Sequence, residues 1–240
     1  MRTLLADIAC GALEPGGAAL RESDIAGQFG VSRGVARECV RGLEERGLVS
    51  VKPGRGATVN PRERWAVFDP DVLSALLGAE RGPDILGECL ECRRILEIEA
   101  VGLAVERAGD DDLAALTHAL ALMTGSAQRA LVNPVAEDRY READLAFHRA
   151  LIAATRNGAL GAMLAPLWRA LGAARRPLAR PAQRIEHSIA EHRRILAAIA
   201  GRDAEEARAA MRDHLVTLER HLREDDDVAD PHGTGGHRAA

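Results

Sequence analysis

Hydrophobic and polar positions in the first 60 residues follow the order of a winged helix-turn-helix. Residues 4–10 form a short apolar helix that precedes it. The predicted elements that follow are a helix at 22–29, a turn at 30–32, a helix from 33 to about Arg46, and β-prone runs at 48–51 and 57–59 folded at Pro53-Gly54. This order predicts two packed helices and a two-stranded wing.

The remainder of the chain has the period of amphipathic helices, with no convincing β segment after Asp71. Gly, Pro and Asn punctuate this pattern, and the predicted helices are 70–79, 84–108, 111–130, 134–155, 158–174, 181–200 and 203–223. Because the connections are short, neighbouring helices should be antiparallel. The predicted fold is mainly α: an N-terminal winged helix-turn-helix followed by an all-α antiparallel bundle of six or seven helices.

The same pattern divides the chain into segments. We expect a winged helix-turn-helix domain at 1–60, a linker at 61–69, a helical domain at 70–223 and a disordered tail at 224–240, which is acidic and then rich in Gly and His. Trp65 and Phe68 in the linker are expected to pack, and Asp69-Pro70 is a typical helix start. The linker should therefore be docked rather than free.

Charge narrows the choice of partners. The net charge of the 240 residues is -4, which argues against a protein coated in nucleic acid. The first 60 residues contain eight Lys or Arg and seven Asp or Glu, about +1, and the remainder carries about -5. Any attraction to DNA must therefore come from a local patch.

The sequence lacks a membrane span, a secretory signal and a paired cysteine motif, and this limits where the protein can be and what its cysteines can do. No apolar run approaches the ~20 residues of a membrane span, and the N-terminus lacks the pattern of a secretory signal, so we expect a cytoplasmic protein and no membrane partner. Cys89-x-x-Cys92 lies within a helical pattern without a second pair. Ordinary packing is therefore favoured over a zinc or redox site there.

The second helix of the N-terminal segment carries a candidate DNA-reading face. Ser32 is a good N-cap, and Arg33, Arg37 and Arg41 recur at every fourth residue on a face beside the apolar stripe. Arg55 gives the wing tip a cation suited to phosphate or minor-groove contact. Arginines at this spacing also occur on ordinary solvated helix faces. The order helix, turn, arginine helix and basic wing favours DNA binding.

Three histidines and an aspartate occupy helix positions that would otherwise be apolar. Asp144 and His148 are spaced i and i+4, His192 interrupts a stripe of isoleucines, and His214 interrupts a stripe with Met211. Each histidine alone could be a core residue bonded to a backbone carbonyl. Together they suit a divalent metal, with zinc as first candidate and nickel, manganese or iron as alternatives.

Arg93 is a candidate for binding the free end of a small carboxylate. It lies on the long predicted helix beside a stripe of Cys89, Cys92 and Leu96, and a guanidinium pairs a carboxylate through two parallel hydrogen bonds. The alternative is an inter-helix or surface salt bridge. An ion held by four protein ligands would leave one or two positions for water or a carboxylate oxygen.

The N-terminal motifs resemble the DNA-binding domain of the GntR superfamily of bacterial regulators. They are the run from Gly11 to Gly16, residues 20–26, Val31-Ser32-Arg33, Arg37-Glu38, Glu45-Arg46-Gly47-Leu48-Val49 and Gly54-Arg55-Gly56. Gly34-Val35-Ala36 stands where the family usually has Thr-Pro-Val, and Ser23 replaces a basic residue found in many relatives. The resemblance implies DNA contacts from Ser32, Arg33, Arg37, Arg41, Arg55 and Gly56.

The helical segment resembles the FCD effector domain of the FadR-type branch of that superfamily. The motifs are Asp144-x-x-x-His148, Glu191-His192, Met211-x-x-His214-Leu215 and the Arg93 to Glu97 segment. Many members of that branch hold a metal with one Asp and three His. The resemblance implies a metal at Asp144, His148, His192 and His214.

The resulting hypothesis is a homodimeric repressor, not an enzyme, that binds a pseudo-palindromic operator in double-stranded DNA and responds to a small carboxylate. Trp65-x-x-x-Asp69-Pro70-Asp71-Val72-Leu73 resembles regulators of sugar-acid catabolism, so a sugar acid is the favoured effector class. Two alternatives stay open at this point: a metal-dependent enzyme acting on a small carboxylate, and a regulator whose metal is purely structural.

Overall fold

The computed structural model describes residues 1–17, 20–52, 54–130, 134–174 and 182–229. These form two compact units, the first made of Met1–Leu86 with Arg169–Ala174 and the second of Gly87–Trp168 with the described residues from 182 onward. The elements are α1 (Arg2–Ala9), α2 (Glu22–Phe29), α3 (Arg33–Glu45), β1 (Val49–Lys52), β2 (Gly56–Val59), a 3-10 helix (Arg62–Arg64), α4 (Pro70–Leu77), α5 (Gly82–Arg107), α6 (Asp110–Ala130), α7 (Pro134–Ala154), α8 (Gly158–Ala174), α9 (Ala182–Ala200) and α10 (Ala204–Ala229).

The predicted fold class is confirmed. Every predicted helix is present, with ends within two residues of those expected except at the end of α10. That helix continues to Ala229, so the predicted tail does not begin at residue 224. No Gly or Pro occurs between Ala204 and Pro231 to break it. The rest of the predicted tail, and the predicted turn residue Pro53, lie outside the described residues.

In the first unit, the helix-turn-helix forms for local reasons. Gly30 ends α2 with φ +62°, and Ser32 begins α3 by accepting a hydrogen bond from Val35 N at 3.3 Å. The antiparallel wing pairs Val49 with Val59, and Leu20 bridges to the wing from the preceding loop. The buried core of this region consists of Ile25, Ala36, Val40, Leu43, Leu48, Val49, Ala57 and Val59.

The predicted linker is docked, but not by both predicted residues. Trp65 is half-buried and its Nε1 donates to Asn60 O at 2.9 Å, whereas Phe68 is 49% exposed, so its expected packing is wrong. Arg46, at the end of α3, pairs with Asp69 and Asp71 at 3.1 Å each. These ion pairs, rather than packing of Phe68, therefore help to hold the linker against the first unit. Helix α4 packs against α1 and is part of the first unit. The sequence had placed residues from 70 onward in the helical domain instead.

In the second unit, α6 packs against α7 and α9, and α9 against α10. The buried stripe of α9 runs through Ile189, His192, Ile195 and Ile199, with Leu196 only half-buried. A histidine therefore sits in the middle of an otherwise apolar core. None of the described helices is long and apolar enough to cross a lipid bilayer.

Candidate functional site

The four predicted metal ligands converge inside the second unit. Asp144 and His148 lie one turn apart on α7, His192 lies on α9 and His214 on α10. One ligand atom from each lies within 4.8 Å of the others. The three imidazoles are buried and pack tightly, with ring centroids of His192 and His214 only 4.4 Å apart. The helical spacing thus brings together the set that the sequence predicted.

Each imidazole has its Nδ1 beside an oxygen. The partners are Ser188 O for His192 at 2.7 Å, Glu191 Oε2 for His214 at 3.0 Å and Glu97 Oε2 for His148 at 2.6 Å. An acceptor at Nδ1 favours the tautomer with the proton there, so the lone pair is on Nε2. Partners of this kind orient metal-binding histidines in proteins.

The donor set fits a divalent metal. His192 Nε2 is buried with no hydrogen-bond partner among the described residues, and the nearest carboxylate oxygen, Asp144 Oδ1, is 3.4 Å away. Metal–ligand bonds of ~2.0–2.2 Å place ligand atoms at most about 4.4 Å apart, so the cluster needs only a small contraction. Three imidazole nitrogens and one carboxylate suit zinc, nickel, manganese or iron.

Burial keeps His192 and His214 in the neutral form that binds metal. It lowers the pKa of His192 to about 3, and the neighbouring His214 and His148 lower it further against the opposing effect of Asp144. Burial also lowers the pKa of His214, although its hydrogen bond to Glu191 works in the other direction. Neutral imidazoles are metal ligands and protonated ones are not.

Arg93, the predicted carboxylate-binding residue, lies at this cluster. Its side chain is 4% exposed, its Nε donates to Glu97 Oε1 at 2.6 Å, and its Nη2 lies 3.0 Å from His148 Nε2. The alternative of a salt bridge also holds in part, because Arg93 pairs with Glu97 one turn away on the same helix. The residue therefore has both a structural partner and a place beside the metal ligands.

Glu97 is the residue that sequence reasoning missed. It is 0% exposed, and its Oε1 accepts hydrogen bonds from both Arg93 and Trp168 Nε1, the latter at 2.8 Å. Burial raises the pKa of this carboxyl, but the charge of Arg93 and the contacts with Arg93 and His148 outweigh burial and hold it well below its usual range. Its position on the buried stripe of α5, one turn after Arg93, was the available signal.

The predicted DNA-binding side chains are exposed on the first unit. Arg33 and Arg55 have no ion pair among the described residues. Arg37 Nε lies 3.2 Å from both carboxylate oxygens of Glu22 on α2, and Arg41 pairs with Glu45 at 3.0 Å. All four cations are accessible, and two of them would have to exchange an existing partner for DNA.

Gly56 has a structural reason for being glycine. Its φ is +84°, and a Cβ there would lie 2.8 Å from Leu20 O. A side chain at this position would therefore separate the wing from the Leu20 bridge. Its predicted role in contacting DNA stays a prediction.

Comparisons with known families match both units. Residues 1–59 match the family described as bacterial regulatory proteins, gntR family. Residues 88–217 match the FCD domain. The two matches together cover most of the chain.

Individual relatives span the same length. The galactonate operon transcriptional repressor of Escherichia coli is 28% identical over 225 residues, covering 92% of this chain and 94% of its own. The Uxu operon regulator of Haemophilus influenzae is 32% identical over 237 residues, covering 95% and 82%. The solved structure of Lar, which controls expression of the Listeria monocytogenes agr system, has a TM-score of 0.59 at 20% identity, covers 92% and 94%, and supports the fold alone.

Proposed function

Since this chain belongs to the gntR family of bacterial regulatory proteins and carries an FCD domain, we propose that it is a repressor whose operator affinity responds to a small carboxylate bound at a metal ion. It is a DNA-binding transcription regulator and not an enzyme, as the family and its relatives are. The metal, the effector, the dimer and the cytoplasmic location are the proposed parts.

One observation carries the metal proposal. Three imidazoles and one carboxylate from three helices converge with His192 Nε2 buried and without a hydrogen-bond partner among the described residues. A buried polar group left unpaired costs about 1–3 kcal/mol, and an ion would satisfy it. Asp144, His148, His192 and His214 would hold the ion, and zinc is the first candidate. A divalent ion bound there would supply a Lewis acid able to take a ligand oxygen.

The effector proposal rests on Arg93 and on one relative. Arg93 places donor groups beside His148 Nε2, where they would meet an acid bound at the ion. The Escherichia coli relative is named for galactonate, a sugar acid, and we propose the same chemical class for this chain. The Asp144 side chain is 15% exposed, the most accessible of the four ligands, so the ligand is expected to approach from its side.

Metal content tests the site. Protein purified without a chelator should contain about one divalent ion per chain by elemental analysis, and the His148→Ala, His192→Ala double variant should contain almost none. His118→Ala is the matched control, because His118 is an exposed histidine of the same unit outside the cluster. Equal metal content in the double variant and the parent would refute the proposed ligands.

DNA titration tests the response. The operator is selected from a random DNA pool by the protein itself, and its affinity is measured with galactonate and with galactose, which lacks the carboxylate. We expect galactonate to change operator affinity by about 5- to 150-fold and galactose to leave it unchanged. A metal-loaded protein that binds galactonate without any change in operator affinity would favour the purely structural metal.

A two-fold dimer on a pseudo-palindromic operator completes the proposal. One short recognition helix reads too few base pairs to find an operator in a genome, so two copies are expected to read two half-sites. Sedimentation velocity at micromolar concentration should show a dimer. A monomer both with and without the selected DNA would contradict this part.

A further inference from the structure

The side chain of Arg93 contacts the nitrogen of His148 that the proposed metal ion would bind. Its Nη2 lies 3.0 Å from Nε2 of His148, which is buried at 1% exposure. We propose that Arg93 is a latch: in the metal-free protein it competes with the ion for His148 Nε2, and metal binding releases its guanidinium to take the carboxylate of the ligand. This inference rests on the proposed metal site and adds how that site is regulated.

The competition follows from the valence of the two groups. A guanidinium has only N–H donors, so His148 must accept at Nε2 with its single lone pair. Its other nitrogen, Nδ1, lies 2.6 Å from Glu97 Oε2, an acceptor that favours the proton on Nδ1. One lone pair cannot bind an N–H and a metal ion at the same time. Arg93 and the ion therefore exclude each other at this nitrogen.

Glu97 lets the latch open without leaving the site. Arg93 Nε donates to Glu97 Oε1 at 2.6 Å, so the charge stays neutralised when Nη2 moves away from His148. The released donors are buried and need a new acceptor. A carboxylate on the ion would provide one through paired hydrogen bonds. A metal ion that binds alone must therefore displace Arg93 from His148 and leave its donors without an acceptor. An acid bound at the ion supplies that acceptor, so the metal and the acid should each tighten binding of the other.

Zinc affinity is the measurement, obtained by competition with a chromophoric chelator. Arg93→Lys keeps the positive charge beside Glu97, but its ammonium ends one bond short of the Nη2 position from which Arg93 contacts His148. We expect this variant to bind zinc about tenfold more tightly than the parent, since a charge-assisted hydrogen bond no longer opposes the ion. Arg93→Met should show at least the same gain.

Arg149→Ala is the matched control for charge. Arg149 follows His148 in the chain, is exposed and has no ion pair among the described residues. Its removal should leave zinc affinity within about twofold of the parent, because an exposed charge is screened by solvent and salt. Tighter zinc binding in Arg93→Met but not in Arg93→Lys would mean a charge effect and would overturn the latch.

Acetate provides a second readout. It should tighten zinc binding by the parent and have a smaller effect on Arg93→Met, which lacks the guanidinium. Circular dichroism melts establish that each variant is folded. If Arg93→Met does not fold, the zinc affinity of Arg93→Lys alone tests the latch. A parent that binds no zinc refutes the proposed metal site. Parental zinc affinity in Arg93→Lys, with zinc still bound by the parent, refutes only the latch.

Discussion

Replacing Glu97 by Gln tests how the buried network holds His148. Two donors, from Arg93 and Trp168, point at Glu97 Oε1, so the amide oxygen of Gln should take that place. Its NH₂ group would then face His148 Nδ1. Because NH₂ is a donor, the imidazole proton must move to Nε2. That nitrogen could no longer bind a metal ion, and it would also oppose the donor of Arg93.

The magnitudes follow from burial. Arg93 loses its buried counter-charge, and removing one partner of a buried ion pair typically costs about 3–5 kcal/mol. For a chain of this length the midpoint of thermal unfolding should fall by about 6–20 °C. Loss of a partner that orients a metal-binding histidine weakens metal affinity by about 10- to 100-fold. Both effects are large enough to separate from ordinary surface substitutions.

Two measurements check this prediction. Urea unfolding with EDTA gives the stability of the metal-free protein, and chelator competition gives zinc affinity. Glu99→Gln is the control, because Glu99 lies two residues away on α5 with its side chain 71% exposed, and it should change neither quantity. A Glu97→Gln protein with parental stability and zinc affinity would show that Glu97 is not the charged partner of Arg93 and His148.

Three further predictions concern other parts of the chain. Arg33→Ala and Arg37→Ala should each weaken binding of the selected operator by about 1–3 kcal/mol if they read bases, and a gel shift equal to the parent's would reject the assignment. With EDTA present, the free energy of unfolding should fall as pH drops from about 6.5 towards 3, by at most about 1.4 kcal/mol per pH unit for His192. The reason is that His192 binds a proton in the unfolded chain but stays neutral when buried. Urea titrations at pH 7 and 5 measure this fall, and it should be shallower in a His192→Gln variant. Gly47→Ala should destabilise the first unit, since Gly47 has φ +71° and an added Cβ would collide with a neighbouring backbone oxygen, whereas Gly27→Ala in α2 should not; unfolding midpoints compare them.

The helices and the four candidate ligands were predictable because both depend on local period. Asp144 and His148 share a face at any packing of α7, and His192 and His214 stand out as polar residues in apolar stripes. Placing three such residues in one core leaves few arrangements that satisfy them. Local geometry therefore carried the site as far as its ligand set.

The supporting residues were not predictable in the same way. Glu97 on α5 meets His148 on α7 only through the packing of distant helices, which no periodicity describes. Phe68 was expected to pack because it is aromatic, yet Arg46 clamps Asp69 and leaves the ring 49% exposed. Propensity indicates which residues prefer to be buried, but tertiary contacts decide which ones are.

The pairing of Arg37 with Glu22 changes what the protein exchanges when it meets DNA. An arginine in solution sheds loosely held anions, and a phosphate sheds condensed cations, so contact gains entropy from both and fades with added salt. Here the anion is tethered to α2 at 3.2 Å and stays behind as a negative charge beside the incoming backbone. If Arg37 contacts DNA, its contribution to the affinity for random sequences is therefore smaller than that of an unpaired arginine. A larger share of the affinity for the operator then comes from contacts with the bases.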